Sequence, residues 1–228
     1  MAEPDSLTWI LASLLGGLVG MDAVSWPQVM ISRPLVSATV GGALLGDPGS
    51  GFLVGAILEL LVLRHPPFGA ARYPDTGPAG LVAGAAFAGS GGHGLMELVV
   101  AVAIGWILGW IGARSVRVLR DVNGWLVEDV AGLSVAPASL ERRQRLAVGL
   151  DFARGALLSA VFLVPAAILT RIVPPASGGV AGPLAGLGLV LATGAASGSG
   201  AAGILGGRGS WLLLAGGSLA ALALLWLT

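Results

Sequence analysis

Two residue types are missing from this chain and a third is almost missing. No cysteine occurs in its 228 residues. That excludes disulfides, iron–sulfur ligation and zinc–thiolate sites, and it leaves the redox compartment undetermined. No lysine occurs either, which excludes a Walker-type phosphate loop with its Gly-Lys-Ser/Thr. The single tyrosine argues against a β-barrel with aromatic girdles. Charge is scarce: 11% of residues are charged, where a soluble domain carries about 25%. Twelve basic and twelve acidic side chains cancel, so nothing points to a polyanionic partner such as nucleic acid. The only histidines, His65 and His93, sit in no nucleophile or metal constellation, so neither a metal nor another cofactor is expected. The first apolar run follows Glu3 and Asp5, unlike the basic start of a cleavable signal peptide.

What is abundant is apolar surface and glycine. The chain is 55% hydrophobic and holds 38 glycines. The apolar runs are too many and too long for the core of a soluble domain, and the glycines suit closely packed membrane helices. The expected fold is an all-α, polytopic membrane protein of a single domain, 1–228, with about seven transmembrane helices plus a re-entrant hairpin. The spans read as 7–21, 50–64, 78–91, 94–113, 149–173, 179–200 and 209–228. Residues 22–46 read as a re-entrant hairpin or two half-helices, because Pro27 and Pro34 interrupt them. Asp47-Pro48-Gly49 is a turn signal.

The stretch from Met21 to Thr76 stands out from this background. It carries Asp22, Gln28, Arg33, Asp47, Glu59 and Asp75 among apolar residues, broken by six prolines. Broken backbone at membrane depth is tolerated only inside protein or beside a wet cavity. Ionisable groups there cost about 2.5–3.5 kcal/mol each on insertion scales and mark substrate paths. A guanidinium at Arg33 needs a carboxylate or a polyol. The bland alternative is a structural ion pair with Glu59 or Asp22. Glu59 can accept two hydroxyls, or pair with Arg33 or Arg64. Asp22 and Gln28 flank Pro27, where freed backbone can face a cavity. Asp47, just before a helix, reads as an N-cap. A serine-protease reading of ASGSG (196–200) fails, because Ser197 stands where Gly-x-Ser-Gly needs glycine.

Residues 114–148 hold Arg114, Arg117, Arg120, Arg142, Arg143 and Arg145, half of the arginines. The positive-inside rule places this segment in the cytoplasm, as an Arg-rich amphipathic segment lying at the membrane surface. Alternation of spans then puts loop 65–77 inside, and the N-terminus and Asp47 outside.

Three stretches carry a family resemblance: QVMISRPLV (28–36), LLGDPGSGFLVGAILELL (44–61) and PFGAARYPDTGPAGLVA (67–83). In order and spacing they resemble the membrane IIC component of the mannose/fructose/sorbose family of the sugar phosphotransferase system (PTS). The likeness is strongest over 15–85. The chain departs from the family pattern at Arg64-His65 and Arg72-Tyr73. The resemblance implies a sugar-translocating subunit that carries a hexose inward in a phosphoenolpyruvate-dependent system. It implies a IID-type membrane partner, and cytoplasmic IIA and IIB phosphoryl carriers. The IIC chain itself bears no phosphohistidine, and its home is the bacterial inner membrane, in an oligomer. The implied substrate contacts are Asp22, Gln28, Ser32, Arg33, Glu59 and Asp75. A diverged, non-transporting scaffold or sensor that keeps the fold is the alternative reading.

Overall fold

The computed structural model describes residues 6–63, 73–91, 94–128 and 137–172, together with Gly186 and Gly188. Among them the regular structure is entirely helical: α1 Ser6–Asp22, α2 Pro34–Leu44, α3 Pro48–Val62, α4 Thr76–Ser90, α5 Leu95–Glu128 and α6 Pro137–Ile172. Apart from those two glycines, the expected spans 179–200 and 209–228 lie outside the described residues, as do Arg64, His65, Arg72, His93 and Arg208.

Local chemistry sets these boundaries. Pro34 and Pro48 open α2 and α3 at the first helical turn, where a missing N–H costs nothing and φ is already helical. The Asp47 carboxylate caps α3 by accepting Ser50 N–H at 3.0 Å, as its position in the sequence suggested. Gly46, with φ of +82°, makes the tight turn between α2 and α3 in a region closed to most side chains. Gly91, with φ of +110°, ends α4.

Two expectations change here. Residues 22–46 are not a hairpin by themselves. They comprise the end of α1, an irregular loop over 23–33 and the 11-residue α2. The hairpin is α2 with α3, and at about 16 and 22 Å neither helix spans a hydrocarbon core of about 30 Å. The Arg-rich segment is likewise no separate surface helix. Its described residues continue α5 and α6, which run for 34 and 36 residues, about 50 Å each. Of the described helices, these two are long and apolar enough to cross a membrane unaided.

α4 is the axis of the bundle. Every residue from Gly77 to Gly89 is buried, as expected of a helix without a polar face. It packs on α2, α3, α5, α6 and α1. α1 packs on α6, and α2 on α3. Small residues set these crossings. Gly42 of α2 faces Gly51 of α3, and Gly16 and Gly20 of α1 face Gly155 of α6. Such close backbone approach is how membrane helices gain packing without a hydrophobic driving force.

The outer surface is apolar. Leu7, Ile10, Leu14 and Leu18 on α1, and Leu157, Val161, Val164 and Ile168 on α6, form exposed stripes at helical spacing. Contiguous patches of this kind are unusual in water and natural against lipid. The helices alternate in direction, which sorts their ends. Thr8, Leu45, Gly89 and Arg171 meet at one end. Asp22, Pro34, Val62 and Thr76 meet at the other. α5 and the start of α6 extend beyond this second end as a paired stalk, where the Arg143 guanidinium donates to Leu126 O.

Candidate functional site

At the second end, the chain leaves α1 and turns through the loop 23–33 before α2 begins. Asp22 organises that loop. It is 2% exposed, and its two carboxylate oxygens accept Val29 N–H at 2.7 Å and Ser32 N–H at 2.9 Å. These bonds hold Gln28 and Met30 at φ of +60° and +69°, a region that non-glycine residues seldom occupy. Such conformations persist where the surroundings enforce them, and they cluster at functional sites. Trp26, Val29 and Met30 project outward from the loop.

Below the loop, α2 starts at Pro34 with no cap from its own residues; its N-cap residue, Arg33, makes no capping bond. Glu59, from the last turn of α3, does this work instead. Its Oε2 accepts Leu35 N–H at 3.3 Å, and its Oε1 pairs with the Arg33 guanidinium. A carboxylate is favourable at a helix N-terminus, where free N–H groups carry partial positive charge. The Arg33 side chain stays 48% exposed while Glu59 is 15% exposed, so the guanidinium retains donors that face open space.

These groups surround a cavity of about 410 Å³, lined by Asp22, Gln28, Ser32, Arg33 and Glu59, with Met30, Tyr73 and Thr76 completing the wall. It lies within the usual range of small-molecule sites, which combine an apolar lining with a few placed polar groups. The cavity offers guanidinium donors, an amide that donates and accepts, hydroxyls and carboxylates. That set suits a neutral polyhydroxylated ligand. Neither Thr76 nor Tyr73 is among the site residues expected from the sequence; Tyr73 figures there only as a departure from the family pattern. Thr76 ties the two walls together by donating its hydroxyl to Ser32 O at 2.9 Å.

Asp75 is placed differently from the other five. It is 1% exposed and lies behind the wall rather than on it, although its neighbours Pro74 and Thr76 line the cavity. Its Oδ2 pairs with Arg154 of α6 at 2.5 Å. Arg154 also pairs with Asp151 at 2.9 Å, and Asp151 Oδ2 accepts the Ser25 hydroxyl at 2.5 Å. Asp151 and Arg154 went unremarked in the sequence, yet one signal was present. An acid and a base three residues apart inside an apolar run are rarely left facing lipid.

The sequence model of the PTS system sorbose-specific IIC component matches residues 6–134. The chain belongs to that family. It is 36% identical over 73 residues to the sorbose-specific EIIC component of Lacticaseibacillus casei, covering 32% of this chain and 26% of the relative. It is 31% identical over 102 residues to the sorbose-specific EIIC component of Klebsiella pneumoniae, covering 45% and 37%. It is 35% identical over 77 residues to the fructose permease IIC component of Bacillus subtilis, covering 34% and 28%. The matches therefore span well under half the length of each of these curated relatives. Two solved structures share the fold at 20% identity. One, described as a membrane protein, gives a TM-score of 0.71 over 89% of this chain and 80% of its own. The other, the mannose transporter ManYZ in complex with microcin E492, gives 0.56 over 90% and 80%. This IIC-family chain is thus an integral membrane protein whose described regular structure is helical, with a fold like that of the ManYZ structure. All five cavity-lining candidates, and Asp75, fall inside the matched segment.

Proposed function

We propose that this chain is the sugar-translocating subunit of a phosphoenolpyruvate-dependent phosphotransferase system, carrying a hexose inward for phosphorylation by a IIB partner. The cavity carries this reading. Five residues chosen from the sequence, four of them in the family-like stretches, surround one space of ligand size, with donors and acceptors suited to sugar hydroxyls. Asp22 shapes the loop, Gln28, Ser32 and Arg33 offer hydrogen bonds, and Glu59 accepts them. Asp75 supports the wall from behind. The chain works with a IID-type membrane subunit and with IIA and IIB phosphoryl carriers, as part of an oligomer in the bacterial inner membrane. With the expected span 50–64 counted as α3 of the hairpin, about six crossings plus the α2–α3 hairpin make up the full membrane domain. The chemical step belongs to the partners. A sugar hydroxyl attacks the phosphohistidine of IIB, and this chain presents that hydroxyl.

The stalk of α5 and α6 supports the cytoplasmic assignment of the cavity end. It carries the Arg-rich segment and rises from the same end as the cavity. Basic residues collect on the cytoplasmic side, so the cavity end faces the phosphoryl donor. In this cysteine-free chain, Gly49→Cys and Gln144→Cys report the sidedness; both positions are exposed. An impermeant thiol reagent added outside cells is expected to label the first and spare the second. The reverse pattern overturns the orientation.

The functional test is uptake of labelled hexoses into vesicles, with and without a complete phosphoryl donor chain and a IID partner. Sugar phosphate accumulating only with the donor chain is the expected result. Binding without any donor-dependent uptake would favour the diverged, non-transporting alternative.

A further inference from the structure

Arg154 belongs to none of the functional motifs, and it lies beyond the family-matched segment that ends at residue 134. Its side chain is 9% exposed. It nevertheless makes more polar contacts than any other described arginine. Nη1 meets Asp75 Oδ2 at 2.5 Å and Ser115 Oγ at 3.0 Å. Nε donates to Asp151 Oδ1 at 2.9 Å, and Nη2 to Gly20 O at 3.3 Å. One guanidinium thereby joins the end of α1, the start of α4, the middle of α5 and its own α6.

Both arms of this contact set end on the cavity. Through Asp75, Arg154 holds the segment 73–76; Asp75 N–H is fixed to Gly109 O of α5 at 2.8 Å, and Tyr73, Pro74 and Thr76 form one wall. Through Asp151, it holds Ser25, at the root of the loop whose Gln28, Met30 and Ser32 form the opposite wall. Asp75 and Asp151 are 1% and 0% exposed. Without the cation, two buried carboxylates would face each other across the gap it now bridges, and breaking a buried pair leaves uncompensated charge.

We infer that Arg154 is a positioning residue: by binding Asp75 and Asp151 together it sets the spacing of the two cavity walls, and so the affinity for the ligand between them. It lines no part of the cavity itself. The inference rests on the sugar-site reading for the nature of the ligand, but not for the latch.

Arg154→Gln removes the cation and risks the fold, so Ser25→Ala is the milder variant; it cuts only the link from Asp151 to the loop. Spin labels on Val29→Cys, on the outer side of the loop that forms one wall, and on Tyr73→Cys, in the other wall, report the separation without any sugar. The parent is expected to show one narrow distance distribution, and Ser25→Ala a broader or longer one. Hexose binding by Ser25→Ala is expected to weaken about tenfold with little change in thermal midpoint, and Ser25→Thr should restore it. Unchanged distances in Ser25→Ala would overturn the latch. Changed distances with unchanged hexose affinity would overturn its role in positioning. If the parent binds no hexose at all, the sugar-site reading fails, and the distances still decide the latch.

Discussion

Gly84→Val is expected to leave little folded protein. Gly84 lies where α4 crosses α2, and a Cβ there would overlap Ala38 O and sit 2.7 Å from its carbonyl carbon. The obstruction is backbone, so no side-chain rotation relieves it. α2 would have to move off α4, and α2 is also pinned to α3 through Gly42 and Gly51. Overpacking a core costs about 1–3 kcal/mol and occasionally more, and here a rigid carbonyl blocks the way. A loss of about 3 kcal/mol or more is expected, read as a collapse of the thermal midpoint in detergent followed by tryptophan fluorescence. Gly124→Ala is the control. Nothing lies within 4 Å of its Cβ, so it should be neutral or stabilise α5 by about 0.5–1 kcal/mol. If Gly84→Val melts with the parent, the close α2–α4 crossing is wrong.

The second large effect concerns Arg33 and Glu59, and an asymmetry is expected. Glu59→Ala strips the α2 N-terminus of its cap at Leu35 and leaves Arg33 without its carboxylate. A hydrogen bond to a charged group contributes about 1.5–3 kcal/mol, so a stability loss of that order should follow. Arg33→Ala leaves Glu59 still bound to Leu35 N–H. With Arg33 about half exposed, screening by water holds its stability cost to about 1 kcal/mol or less. Binding should behave differently from stability. Both single variants, and the double variant, should lose hexose affinity by about tenfold or more, although the double variant folds. The double variant should be less destabilised than the sum of the singles, since the two side chains interact. A folded double variant with unchanged affinity would show the pair to be structural only.

Much of the candidate site was legible because it is local in sequence. Arg33 and Glu59 lie equally far on either side of Gly46. A tight turn there forces the two helices back along each other and brings that pair together. Asp47 before Pro48 could be read as a cap, because capping spans only the next turn. The prolines at 27 and 34 marked the backbone break that became the loop 23–33. Asp75 shows the limit of such reading. The resemblance implies a substrate contact at Asp75, yet its carboxylate is buried against a residue 79 positions away. The helices α5 and α6 show another limit. A change from apolar to Arg-rich composition reads as the end of a span, but helix propensity does not stop at a membrane surface. Both helices therefore continue into the stalk.

The sequence by itself determined the class of this protein and its family. Scarce charge and long apolar runs leave only a membrane protein, and three ordered motifs identify the family. It also determined most of the cavity-lining polar residues, because intramembrane charge is costly enough to be conspicuous. Tertiary structure alone decided which helix is central, and that Arg154 joins Asp75 to Asp151. The reason is physical. Which buried cation meets which buried anion depends on helix crossings, and those depend on where glycines let backbones touch. That is a property of pairs of helices, and no single stretch of sequence carries it.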